Sequence, residues 1–140
     1  MEKSWNQTKR FLQIIKRLTR CIIADKVILT PDQFALLENN DIILGVYKGD
    51  KNFEDIVFLN NAILFFNSQT NALKKIVYSE LKEVIYPLSA SDSILLKLRL
   101  KNGYETNLKV VGVQGSFRDV FHIGKFFMRV IEDNQFNTLN

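Results

Sequence analysis

The side chains that could do chemistry are few, and their spacing says as much as their types. The chain has one histidine, His122, and one cysteine, Cys21. A pair this small builds neither a metal cluster nor a disulfide framework, and the lone thiol reads as a small apolar core residue of a protein kept in a reducing compartment. The adjacent carboxylates Glu54 and Asp55 fall in a strand-like stretch, where neighbouring side chains point to opposite faces. That is the wrong geometry for shared acid and base work. "GVQG", residues 112–115, precedes a helical pattern and could cradle an anion, but a sharp strand-to-helix turn explains the same glycines. Without a phosphate-binding loop, a dinucleotide fingerprint or a serine-nucleophile motif, neither an enzyme nor a cofactor or metal site is expected.

The strongest chemical signal is cationic. "KRFLQIIKRLTR", residues 9–20, interleaves Lys9, Arg10, Lys16, Arg17 and Arg20 with large apolar side chains and contains no acid. Residues 1–26 hold seven basic side chains against two acidic ones, a net +5, whereas residues 27–140 hold twelve against thirteen, a net −1. At ~100° per residue, Trp5, Phe11, Leu12, Ile14, Ile15, Leu18 and Ile22 share one sector and the five cations the other, which predicts an amphipathic helix over residues 3–23. Two uses compete for it. Trp5, Phe11, Ile15, Leu18 and Ile22 could pack on the rest of the fold or on a second copy. Alternatively, Lys9, Arg10, Lys16, Arg17 and Arg20 could rest on an anionic membrane surface, each adding about 1 kcal/mol. Packing is preferred, because apolar side chains already buried in protein are lost to lipid. Nucleic acid is disfavoured: the cations are confined to one helix, and the aromatics of the later segments sit on the apolar side of alternating strands.

The elements that must carry these residues follow from periodicity. "TPDQFALLENN" starts a short second helix over residues 31–38, with Thr30 as N-cap and Pro31 at the first helical position. From Asp41 the composition turns β-branched and aromatic. Asn60-Asn61 between two apolar runs predicts a two-residue hairpin that sets Phe58 against Ile63 and Ile56 against Phe65. "KKIVYSELKEVIYPL" continues as one or two strands. In residues 94–100, Ile94, Leu96, Leu98 and Leu100 alternate with Leu95, Lys97 and Arg99, the period of a half-buried strand. A three-residue "KNG" loop with Gly103 left-handed keeps that register, pairing Leu98 with Thr106, Leu96 with Leu108 and Ile94 with Val110. Finally, Ser116 caps a helix whose apolar side holds Phe117, Val120, Phe121, Gly124, Phe127, Met128 and Ile131. Arg118, Asp119, His122, Lys125, Arg129 and Glu132 take its polar side. The organisation is a helical extension over residues 1–40, a β-rich domain with its closing helix over 41–134, and a frayed tail over 135–140.

Three stretches carry a family resemblance. "IVYSELKEV" (76–84), "VFLNNAILFF" (57–66) and "LLKLRLKNGYETNLKV" (95–110) are similar to segments of bacterial PH-like (bPH) and GRAM-like domains of the pleckstrin-homology superfold. The resemblance covers residues 41–134 and implies an α+β fold: a strongly bent antiparallel barrel of about seven strands capped by a C-terminal α-helix. The chain departs from these families at Ala62 and Ile63, where many bacterial members carry a basic residue, and its last helix lacks the tryptophan common in eukaryotic PH domains. A phosphoinositide pocket is not supported, because "KGDKNFED", the stretch corresponding to the basic loop of lipid-binding members, sets two lysines against three acids.

The resulting expectation is a non-enzymatic PH-like binding or scaffold module whose partner is another protein or a second copy. Two alternatives remain: a peripheral membrane protein held by the basic helix, and a small inhibitor or immunity-type protein that blocks a partner. With no apolar run of transmembrane length, the expected location is cytoplasmic, at most peripheral to the inner face of the membrane.

Overall fold

A computed structural model describes residues 9–14, 21–23, 29–48, 55–67, 72–85, 94–110 and 118–139. Residues 9–14 are helical (α1). They are followed by β1 (Cys21–Ile23), α2 (Pro31–Ala35), β2 (Ile43–Tyr47), β3 (Ile56–Leu59), β4 (Ala62–Asn67) and β5 (Ala72–Val77). A 3-10 turn, Tyr78–Glu80, leads to β6 (Leu81–Ile85), β7 (Ile94–Leu100), β8 (Glu105–Val110) and α3 (Arg118–Leu139). Among the described residues eight strands form two antiparallel sheets, β1-β2-β3-β4-β5 and β6-β7-β8. Among the described residues no ladder joins one sheet to the other, so the architecture is α+β with two sheets and a closing helix.

One large cluster holds the fold together. It takes Phe58 and Ile63 from the first sheet, Leu96, Leu98 and Leu108 from the second, Phe126 and Phe127 from α3, and Phe11 from α1. The two sheets use their strands differently. In β7, Leu96, Leu98 and Leu100 are buried while Lys97 is exposed, the alternation of a sheet with one wet face. In β3 every residue is buried. Ile56 and Phe58 face the main cluster, and Val57 and Leu59 join Val46, Ala62 and Leu64 in a second one. Leu29, Leu36, Leu37 and Ile43 cover that second face. Residues 29–43 therefore form a flap over the outside of the five-stranded sheet, which explains why the β3–β4 hairpin reads as a continuous apolar run.

Both hairpin registers match the residue pattern. Phe58 pairs with Ile63 across Asn60-Asn61, and Ile56 and Phe65 lie on the same face of the main cluster. In the second sheet Leu98 pairs with Thr106, Leu96 with Leu108 and Ile94 with Val110. The Leu100 N–H donates to the Tyr104 carbonyl at 2.8 Å across the turn, and Gly103 adopts φ +91°. A Cβ at Gly103 would meet no atom within 4 Å, so Gly103→Ala isolates the backbone term. It is expected to destabilise by about 1 kcal/mol in urea unfolding with an unchanged slope.

Four expectations are corrected. The amphipathic helix does not extend over residues 3–23, because Cys21–Ile23 pairs with β2, setting Ile22 against Val46. The β-branched pair Ile22-Ile23 suits an extended edge, and helical periodicity does not distinguish so short an apolar run from a strand. The second helix ends at Ala35 rather than residue 38, since Leu36 and Leu37 leave the helix to pack on the sheet. Its capping box is present: Gln33 N–H donates to Thr30 Oγ1 at 3.1 Å and Thr30 N–H to Gln33 Oε1 at 2.9 Å. The last helix runs to Leu139, so residues 135–139 are helical and not a frayed tail.

The fourth correction concerns the rotational phase of α3. Val120, Ile123, Phe126, Phe127, Val130 and Ile131 are buried, while Phe121 is 60% exposed and Met128 41%. Asp119, assigned to the wet side, is only 1% exposed and accepts a 2.5 Å hydrogen bond from the Tyr47 hydroxyl. Apolar residues occupy more than half the circumference of this helix, so spacing alone selects no unique inward direction. Phe126 decides it, stacking edge-on against Phe58 and Tyr78 at centroid distances of 5.7 and 5.5 Å.

Candidate functional site

The basic N-terminal segment is placed only in part. Trp5, Ile15, Leu18, Lys16, Arg17 and Arg20 lie outside the described residues, as do Glu54, Ser116, Phe117 and the 112–115 turn. Phe11 is fully buried, 4.7 Å from the ring of Phe58 and 5.9 Å from that of Phe126. Ile14 is buried beside it. Arg10 turns to α3, where Nε and Nη2 donate to the two carboxylate oxygens of Asp133 at 3.1 and 3.2 Å. The hydrogen bond to Asp133 holds the Arg10 guanidinium still more firmly protonated than usual, partial burial opposing it. Lys9 and Leu12 remain exposed. One residue of the expected packing face is thus seen in the core, and one of the five expected surface cations is bound within the molecule.

Between α1 and α3 this arrangement leaves a groove of about 440 Å³, lined by Arg10, Gln13, Ile14, His122, Lys125, Phe126 and Arg129. His122, Lys125 and Arg129 form one stripe along α3, at positions i, i+3 and i+7. The groove was not foreseen, because it needs the docking of α1 against α3 as well as the stripe.

A second surface feature is the flap. Its inner side chains are packed, but Phe34 is 68% exposed and Ile42 60%. Beside α2 a further groove of about 550 Å³ is lined by Thr30, Asp32, Gln33, Leu36, Phe66 and Leu73, among others. Two polar anchors fix the flap. The Asn60 N–H donates to the Ile42 carbonyl at 2.9 Å, Asn60 Oδ1 accepts from the Ile42 N–H at 2.9 Å, and Asn60 Nδ2 donates to the Asn40 carbonyl at 3.3 Å. Lys75 Nζ on β5 reaches Asp41 Oδ2 at 2.6 Å and Glu38 at 3.6 Å. Asn60 was legible only as a turn residue, and no local signal marks Lys75.

Elsewhere the polar groups do structural work. Lys48 Nζ pairs with Asp55 Oδ2 at 2.8 Å across the ends of the "KGDKNFED" stretch, whose interior lies outside the described residues. On the wet face of the second sheet, Arg99 bridges its cross-strand neighbours Glu83 and Glu105. The Arg99 hydrogen bond, with the Arg99 and Lys97 charges behind it, holds the Glu105 carboxyl below its usual range, desolvation opposing. A depressed carboxyl contributes stability above its unfolded pKa and loses it as pH falls through the folded value. Arg99→Gln should therefore move the Glu105 midpoint upward in a ¹³C-detected titration. Among the described residues no three His, Cys, Asp or Glu side chains gather as metal ligands, and no helix is long and apolar enough to cross a membrane.

The chain matches no protein-family model and no curated protein sequence.

Proposed function

We propose that the chain is a non-enzymatic protein-binding module built on a PH-like arrangement. Support for the arrangement comes from strand order: an antiparallel meander β2 to β5, a second meander β6 to β8, then a single closing helix. Support for protein binding comes from one observation: an anchored flap that buries its inner side and leaves Phe34 and Ile42 outward. Large apolar side chains on an ordered surface supply the desolvation energy of a protein contact, at little ordering cost. The N-terminal helix serves this module as part of its core, since the apolar side chains it would lend to lipid include Phe11 and Ile14, which are already covered.

A second copy of the chain is the first partner to test. Sedimentation equilibrium should give a mass that rises with concentration in the wild type and remains monomeric in the Phe34→Ser/Ile42→Ser variant. A second reading, peripheral membrane contact, draws on Lys9 and Leu12, which are exposed on the outer side of α1. A monomeric wild type that pellets with anionic vesicles at low salt, and ceases to when Lys9, Lys16, Arg17 and Arg20 are neutralised, would replace the first reading with this one.

A further inference from the structure

The α1/α3 groove is a binding site for an oxyanion-bearing small group, we infer, and it is independent of the protein-binding surface on the flap. Its volume, about 440 Å³, lies within the range of small-molecule sites. Two of the cationic groups along it, Lys125 and Arg129, are not spent among the described residues. Among the described residues neither Lys125 nor Arg129 makes an ion pair or hydrogen bond, although Arg129 is only half exposed. An arginine that packs its stem on the groove wall and has no acceptor for its guanidinium gains nothing for the fold from its charge. Lys125 and Arg129 also sit four residues apart on one helix, where like charges repel. An anion placed between them relieves that repulsion and gives the guanidinium an acceptor.

The third cation is positioned differently. Asp133 grips Arg10 through Nε and Nη2, which fixes the plane of the guanidinium and leaves Nη1 with its two donors outside that grip. A planar donor held in advance binds an oxyanion with less loss of side-chain freedom than a free lysine does. Gln13 adds an amide on the α1 wall, and Ile14 and Phe126 supply apolar surface in the same groove. The chemistry selected is a phosphate or similar oxyanion attached to an aromatic or aliphatic body. A phosphorylated metabolite and a phospholipid headgroup both present it.

The test uses the full chain and 1-naphthyl phosphate as probe, with 1-naphthol as the uncharged control and backbone amide chemical shifts as readout. Naphthyl phosphate should produce saturable shifts at Gln13, Lys125, Phe126 and Arg129. Arg129→Gln and Lys125→Gln should each weaken its binding about tenfold, the loss of one charge-assisted contact, while Lys82→Gln on β6 leaves it unchanged. Lys125 and Lys82 are exposed, so these variants keep the fold, and unaltered melting temperatures would verify it. Vesicles containing phosphatidylglycerol separate the two sources. Pelleting that Arg129→Gln abolishes assigns the site to a headgroup, and naphthyl phosphate binding without pelleting assigns it to a soluble ligand. The inference is overturned if naphthol binds as tightly at the same amides, or if both groove variants bind naphthyl phosphate like the wild type. Neither result depends on whether the Phe34/Ile42 surface self-associates.

Discussion

Phe11→Ala is expected to destabilise the protein by about 3–5 kcal/mol, the cost of emptying a large aromatic position in a packed core. The size of the effect follows from where the ring lies. Phe11 is fully buried and touches Phe58 of the first sheet and Phe126 of the closing helix, so its removal opens a cavity where three elements meet. Neither neighbour collapses easily, because Phe126 is itself held edge-on by Phe58 and Tyr78. Urea unfolding with a single transition, monitored by both circular dichroism and aromatic fluorescence, measures the loss. Leu12→Ala on the same helix is the control: Leu12 is 53% exposed, and its loss should cost under about 1 kcal/mol. Equal effects at the two positions would show that α1 does not pack as the structure places it.

Lys75→Ala should cost about 3 kcal/mol, far more than an ordinary surface lysine, because it strands a carboxylate. The Asp41 side chain is 1% exposed and Lys75 16%, with 2.6 Å between the charged atoms. The Asp41 carboxylate also accepts the Glu38 N–H at 2.8 Å, so it closes the turn that ends the flap. Removing the ammonium leaves a buried negative charge that is only partly satisfied. The double variant Asp41→Asn/Lys75→Met should recover most of the loss, since an amide still accepts from Glu38 and a methionine fills the lysine's volume. A double-mutant cycle in urea reads the coupling directly, and additive single effects would remove the pair from the forces that hold the flap down.

Local chemistry made some of this legible. The β7–β8 register follows from strict alternation together with one glycine that can take positive φ, and both are properties of adjacent residues. Thr30, Pro31 and Gln33 announce a helix start for the same reason. The missing parts depend on contacts distant in sequence. Nothing near Lys75 reveals that Asp41 will lie across from it, and Asn60 serves the flap through atoms eighteen and twenty residues away. The rotation of α3 was illegible because Phe121 and Phe126 are equally apolar. Only the positions of Phe58 and Tyr78 decide which of them turns inward. β1 was hidden in a longer cationic and aliphatic pattern, in which residues 9–14 are helical and the last three residues are not.

That short strand has a bearing on how the molecule should be handled. Cys21–Ile23 occupies the flank of β2 that would otherwise offer unpaired amide and carbonyl groups to other chains. A truncation intended to strip away the cationic segment would also take off this shield, and the shortened chains would be free to stack strand against strand. Charge is therefore better removed by substitution than by deletion, because sedimentation of a clipped protein would report polymerisation rather than attraction to a bilayer.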